Sequence, residues 1–248
     1  YCLKCGGCML VCPVFQAVGG HVFGGPVYPG GIGTLMTAMT ESVAESAKTL
    51  DLCADCRKCQ DFCPVGIRTG ELLVKLKASQ GAGLAEKGLS LVFSRRRAAE
   101  RGARLLGVLQ KLWLKDGHLK ALPLPMARGK RYPALAFKRG GLDTGGPGPK
   151  VFFFQGCLVK YFFPEVRESV VRSRVHFGYR VVVPADQACC GAPSLHLGDT
   201  KAVRALAAAN LEAIERENPD VILTVCPTGN SVLRNDYPAL DARAARWR

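Results

Sequence analysis

Residues 2–13 read CLKCGGCMLVCP and residues 53–64 read CADCRKCQDFCP, and these two stretches decide how the rest of the chain is read. Each is C-x2-C-x2-C-x3-C-P: Cys2, Cys5, Cys8, Cys12 and Pro13 in the first, Cys53, Cys56, Cys59, Cys63 and Pro64 in the second. Three cysteines at that spacing wrap a tight loop round one face of a [4Fe-4S] cube, bring three sulfurs to three irons and leave a fourth iron open. The remote fourth cysteine of the other run closes it. On this logic Cys2, Cys5, Cys8 and Cys63 hold one cluster, Cys53, Cys56, Cys59 and Cys12 hold a second, and the exchange locks the runs side by side. Zinc takes pairs of C-x2-C, and structural disulfides have no use for this repeated register.

Gly6, Gly7, Gly66 and Gly70 lie near these ligands, where a missing side chain lets backbone N–H groups approach sulfur and tune a potential. Residues 13–52 open with seven glycines between Gly19 and Gly33, which predicts loop, and continue into a helical stretch near Leu35 to Leu50. His21 and Tyr28 in that loop are read as ordinary packing ahead of contact with a cluster or partner.

The bulk composition fits a globular chain. Its 248 residues are 48% hydrophobic, enough for one large or two ordinary cores. No run reaches the roughly 18 apolar residues that cross a bilayer, and ligands stand where a signal peptide would be greasy, so the expected location is the cytoplasm. The formal charge is +14. Each cubane with four thiolates contributes about −2, so three would lower the total to about +8. The chain starts at Tyr1 with a cysteine next, which reads as a piece of something longer.

The charge is local. Residues 95–139 hold thirteen Lys or Arg against Glu100 and Asp116. Leu105, Leu106, Val108, Leu109, Leu112 and Trp113 recur among them at helical spacing, which predicts an amphipathic helix with a basic rim. It suits the inner face of the cell membrane, where it would make a peripheral or quinone-side contact, or an acidic partner, or packing on its own domain with a solvated face. Nucleic acid is not expected, because no binding motif or aromatic platform accompanies the charge. Pro123, Pro125, Pro133 and the run Gly145-Gly146-Pro147-Gly148-Pro149 mark a linker.

Beyond Pro149 the pattern becomes β-α-β-α-β with parallel strands: Val151 to Gln155, Arg180 to Val183 and Val221 to Val225, with helices at Pro164 to Phe177 and Thr200 to Asn218. Cys157, Cys189, Cys190 and Cys226 fall at the carboxyl ends of these strands, the edge where open parallel sheets bind ligands. Four thiols far apart in sequence are thereby brought together as a third metal site. The expected layout is a two-cluster domain at 1–80, a basic helix and linker at 81–149, and a cysteine-rich domain at 150–248.

Cys157, Cys189-Cys190-Gly191 and Cys226 resemble the cysteine-rich CCG domain shared by heterodisulfide reductase, the glycolate oxidase iron-sulfur subunit, the anaerobic glycerol-3-phosphate dehydrogenase small subunit and the lactate-utilisation proteins. The fullest motif ends in C-x2-C, and Gly229 replaces that fifth cysteine here. The resemblance then implies a four-thiolate [4Fe-4S] centre or a site completed by another chain. Members of that family commonly carry two such units, which implies that this one is truncated.

Cys2 to Met36, with its CPVF, GGH and YPGGIG elements, is similar to the ferredoxin region of the lactate-utilisation iron-sulfur protein. Trp113 and Tyr132-Pro133-Ala134-Leu135 are similar to that protein's tail. The fold implied is an α+β ferredoxin-like two-[4Fe-4S] domain of helices and loops, followed by an α/β CCG domain with a parallel sheet.

The resemblance also implies an electron-transfer component of an oxidoreductase complex that oxidises a hydroxy acid, lactate in the family, with a flavin or lactate-utilisation subunit as partner. No G-x-G-x-x-G follows a strand and no flavin fingerprint is found, so the chain is expected to hold no catalytic residue of its own. The alternative implied is a heterodisulfide-reductase-like subunit with catalysis at the CCG cluster.

Overall fold

The computed structural model of the chain describes residues 2–81, 88, 90, 96–110, 114–115, 118–119, 132–136 and 140–247. Arg95, Leu112, Trp113, Pro123 and Pro125 lie outside the described residues. Two compact units form: Tyr1–Ser90 with Pro193–Lys201, and Leu91–Ala192 with Ala202–Arg248.

The first unit is built of short helices: α1 (Gly7–Leu10), α2 (Pro13–Val18), α3 (Gly30–Thr40), α4 (Val43–Leu50), α5 (Lys58–Asp61) and α6 (Thr69–Gln80). Pro13 opens α2 where a missing N–H costs nothing, and the Cys12 sulfur accepts the Phe15 N–H at 3.5 Å. The single helix expected over Leu35 to Leu50 is two. Ser42 breaks it by accepting the Glu45 N–H on its hydroxyl at 3.0 Å, in an S-x-x-E start signal that opens α4.

α3 and α6 meet over a core of Phe23, Ile32, Leu50 and Leu73, all buried. Thr34 and Thr49 join α3 to α4 through hydroxyls 3.0 Å apart. Gly33 is indispensable to this packing, because a Cβ there would fall 1.5 Å from the Tyr28 carbonyl oxygen. The glycine-rich loop of 19–33 is thus pressed onto the helix it leads into, with Gly25 N–H donating to Tyr28 O at 3.0 Å.

The second unit contains a four-stranded sheet in the order β4-β6-β5-β7, and a separate sheet of three two-residue antiparallel strands, β1 (Leu114–Lys115), β2 (His118–Leu119) and β3 (Tyr132–Pro133). β5 (Lys150–Phe153) runs parallel to both β6 (Arg180–Val183) and β7 (Val221–Leu223), as the sequence predicts. β4 (Leu142–Asp143) is an addition. It pairs antiparallel with β6 inside the stretch read as linker, so the sheet is mixed. Two hydrogen bonds from Arg180 to the Asp143 carboxylate and a Val181 N–H to the Thr144 hydroxyl fasten that edge.

The central strands are buried on both faces: Val151, Phe152 and Phe153 in β5 and Val181, Val182 and Val183 in β6. That is the condition under which a parallel strand reads as an unbroken apolar run. After α7 (Arg96–Leu109), helices α8 (Gly156–Tyr161), α9 (Pro164–His176), α10 (Ala192–His196), α11 (Thr200–Glu217), α12 (Pro227–Ser231) and α13 (Tyr237–Leu240) follow in chain order. α9 lays Val166, Val170 and Val171 against Phe153, Val181 and Val183. α11 buries Val203, Leu206, Ala207, Asn210, Leu211 and Ile214, one stripe at helical spacing.

Candidate metal centres

The two cysteine runs fold alike. Lys4 and Gly6 in the first have φ of 53° and 77°, and Asp55 and Arg57 in the second have 51° and 60°. Such left-handed residues curl the chain so that successive cysteines face one side, and α1 and α5 then follow in register. Gly6 adopts this shape freely, whereas Arg57 holds it against the usual steric cost.

Cys2, Cys5 and Cys8 line a pocket together with Cys63 from the other run. Cys53, Cys56 and Cys59 line another with Cys12, and Cys8 borders this one too. The last cysteine of each run thus lines the pocket of the other, Cys63 with Cys2, Cys5 and Cys8, and Cys12 with Cys53, Cys56 and Cys59. Among the described residues no three Cys, His, Asp or Glu side chains converge on a single point. All-thiol donor sets are what iron-sulfur clusters take.

Electrostatics reports the same neighbours. Burial and then the Cys2, Cys5 and Cys63 sulfurs push the Cys8 thiol up. Burial and then the Cys56, Cys8 and Cys12 sulfurs push Cys59 up to about 11. Burial, with the Asp55 carboxylate adding to it, pushes Cys53 up to about 12. Any metal bound here would displace these protons, so its binding would depend on pH. Backbone N–H groups already point at sulfur: Lys4 at Cys2 (3.4 Å), Phe15 at Cys12 (3.5 Å) and Ile67 at Cys63 (3.3 Å). Tyr28 lines the first cavity and donates its hydroxyl to Lys4 O at 2.8 Å, so it faces the site, while His21 is exposed.

Lys77 is a residue that sequence reasoning missed. It comes from α6, is 4% exposed, and donates to Cys53 O and to Asp55 Oδ2, each at 3.2 Å. Its Nζ also lies 2.9 Å from His196 Nδ1. Burial alone would raise the Asp55 carboxyl, but the His196 hydrogen bond and the Lys77 charge bring it below the ordinary value.

The other four cysteines sit where strands of the second unit end. Cys157 opens α8 after β5, Cys189 and Cys190 follow β6, and Cys226 caps α12 after β7, taking the Gly229 N–H on its sulfur at 3.4 Å. Their thiols interact. A hydrogen bond with Cys189 and then burial drive Cys157 up. Cys189 is favoured as thiolate by that bond, but its bond with Cys190 and its burial outweigh this and leave it at about 11. The Cys189 bond holds Cys190 below its ordinary value, against burial and against the Cys157 and Cys226 charges.

Three buried polar side chains shape this group. Gln187 accepts the Gln155 N–H at 3.1 Å and donates to Phe153 O at 2.7 Å, tying the loop before Cys189 to the end of β5. Asn210 accepts the Ala188 N–H at 2.9 Å and donates to Cys189 O at 3.0 Å, and Tyr237 donates to Cys190 O at 3.1 Å. Asn210 alone had a sequence signal, a polar residue centred on the apolar stripe of α11.

Comparison with known proteins falls on the same residues. A 4Fe-4S dicluster domain matches residues 1–67, and the cysteine-rich domain CCG matches residues 151–234. The chain is 28% identical over 244 residues to a subunit of the fumarate reductase (CoM/CoB) of Methanothermobacter marburgensis, covering 96% of this chain and 43% of that protein. It is 28% identical over 254 residues to a probable glycolate oxidase iron-sulfur subunit of Bacillus subtilis, covering 90% and 55%. Over 134 residues it is 31% identical to lactate utilization protein B of Shouchella clausii, covering 51% and 28%. The chain thus spans about half the length of the first two relatives and less than a third of the last. No solved structure matches it. The two matches together give a 4Fe-4S dicluster domain followed by a cysteine-rich CCG domain, the two parts the sequence resembles.

Proposed function

We propose that this chain is the iron-sulfur electron-transfer subunit of a hydroxy-acid dehydrogenase or oxidase complex, lactate being the acid. Cys2, Cys5, Cys8 and Cys63 hold one [4Fe-4S] cluster, Cys53, Cys56, Cys59 and Cys12 a second, and Cys157, Cys189, Cys190 and Cys226 a third iron-sulfur site. The reading rests above all on the crosswise cavities, in which each run lends its last cysteine to the other. When bound, each cluster accepts and returns a single electron.

The residues around the sites supply the rest. Thiolates fix where the electron sits, backbone N–H groups directed at sulfur make it easier to add, and the apolar lining by Ile32, Ile67 and Leu73 keeps water from the sulfurs. The hydroxy acid is oxidised on a partner, a flavin or lactate-utilisation subunit, and electrons leave towards the respiratory chain on the cytoplasmic side. The names of the glycolate oxidase and lactate utilization relatives support that substrate class.

Iron analysis and EPR on anaerobically purified protein test this reading. About twelve irons per chain is the expected result. Eight would remove the third centre, and colourless protein would overturn the assignment.

A second reading places catalysis at the CCG site, in the manner of a heterodisulfide reductase. The similarity to a fumarate reductase named for CoM and CoB favours it. It predicts a paramagnetic signal that develops only when a thiol or disulfide ligand is added.

A further inference from the structure

Three apolar residues of α7 turn outward. Leu105 is 62% exposed, Val108 72% and Leu109 36%, and Arg101 beside them is exposed as well. The opposite side of the helix is the one that is fastened. Glu100 pairs with Lys160 at 2.9 Å, with side chains only 15% and 11% exposed. Gln110, just past the other end, accepts the Leu135 N–H at 2.7 Å and donates to Leu135 O at 3.0 Å. Both anchors lie on one side of the helical wheel, Leu105, Val108 and Leu109 on the other, so the outward stripe follows from how the helix is held.

Charge says what such a stripe would meet. Segment 95–139 carries thirteen cations against two acids. Of those acids, Glu100 is turned inward to Lys160. In the helical period, positions 97 and 104, both arginine, stand one turn before and after Arg101. On the helical wheel Arg101 falls between Val108 and Leu105, so its guanidinium can reach lipid phosphate over their apolar side chains, a mixed face that fits the boundary between acyl chains and anionic headgroups. An acidic protein would be matched by the arginines alone and would gain nothing from a leucine-valine ridge unless it offered an apolar groove as well.

Length fixes the pose. Fourteen residues extend about 21 Å, short of the roughly 30 Å hydrocarbon core, so the helix lies along the surface.

We infer that α7 is a docking helix for an anionic bilayer surface, with Leu105, Val108 and Leu109 entering the headgroup boundary and Arg101 engaging lipid phosphate. The contact needs no cluster, so it stands or falls apart from the function proposed above.

The purified chain, clusters in place, is sedimented with vesicles of phosphatidylcholine alone and of phosphatidylcholine mixed with phosphatidylglycerol. Binding to the anionic vesicles only is expected, falling several-fold as salt shortens the Debye length. The double variant Leu105→Ser, Val108→Ser, which leaves the charge unchanged, should bind at least tenfold more weakly, and Arg101→Gln more weakly too, both with the iron content of the parent chain. No binding to anionic vesicles at low salt overturns the inference. So does a double variant that binds like the parent, since attraction would then be charge alone. Protection of Leu105 and Val108 by partner subunits in the intact complex, without vesicle binding, assigns the face to protein and also overturns it.

Discussion

Tyr237 donates its hydroxyl to the carbonyl of Cys190 at 3.1 Å, and both groups are buried. Asn210 reaches the same phenol oxygen at 2.9 Å while donating to Cys189 O, so one pair of side chains holds both peptide carbonyls of the double cysteine. Tyr237→Phe removes both bonds of the phenol without changing shape and should cost about 2–3 kcal/mol. Asn210→Leu strands the Ala188 N–H and the Cys189 carbonyl and should cost about 3 kcal/mol. Chemical denaturation measures both, and the EPR signal of the third centre should change shape in each while the other two signals stay as they were.

Lys77→Met should be more damaging than an ordinary helix substitution. It leaves the Asp55 carboxylate, 18% exposed, and the Cys53 carbonyl without their cation, which costs about 3 kcal/mol for a buried pair. The urea midpoint should fall accordingly. A shift as small as that of an exposed ion pair such as Lys48–Glu45 would show that Lys77 is not the support described.

The crosswise sets can be separated by single substitutions. Cys56→Ser should remove one cluster signal, about four irons, and much of the stability of its unit. Cys12→Ser should erase that same signal although it belongs to the other run, and Cys63→Ser should erase the other one. If Cys12→Ser instead matched Cys5→Ser, the sets would be the runs themselves.

Stability of the metal-free chain should decline in alkali. Cys53 at about 12, and Cys59 and Cys189 at about 11, are raised above the roughly 8.5 of an unfolded thiol. Raised groups contribute fully below the unfolded value, and their contribution is lost as pH rises through the folded one, here from about 8.5 to 12. Cys190, shifted down, opposes this in part. Asp55 acts at the other end: its lowered carboxyl stabilises above about 3.9 and that contribution disappears in acid. Thermal melts across pH 7 to 11 in the presence of chelator and reductant follow the alkaline limb, and a midpoint independent of pH there would contradict the burial of these thiols.

Gly33→Ala should be poorly tolerated. The added methyl would meet the Tyr28 carbonyl at 1.5 Å, so α3 must separate from its loop, a cost of about 3 kcal/mol or more. Circular dichroism melts would show the loss, whereas Gly102→Ala on α7, where no atom lies within 4 Å, should be neutral or better.

The sites were more legible in the sequence than their supports. Ligand spacing is local, so Cys2 to Cys12 and Cys53 to Cys63 declare themselves, and Cys157, Cys189, Cys190 and Cys226 follow once strands of a parallel sheet are recognised. Lys77 could not be read, because a lysine in a helix ordinarily faces water, and here Cys53, Asp55 and His196, all distant in sequence, take its ammonium. Gln187 and Tyr237 lack a pattern for the same reason. β4 has two residues, too few for any period to show. The break between α3 and α4 was written in Ser42-x-x-Glu45 and outweighed by the apolar run across it. For α7 the pattern gave two faces, but only the Glu100 and Gln110 anchors decide which one turns outward.

The borrowing of Cys63 by one cavity and Cys12 by the other has a topological outcome. Once filled, the pair of centres becomes a clasp whose halves are each hooked through the other, so a protease cut within residues 13–52 should leave both fragments migrating together until a chelator strips the iron. Maturation carries the mirror-image demand: whatever delivers the metal must find the two hooks already crossed, and a nascent chain that has emerged only as far as Cys12 has nothing complete to offer it.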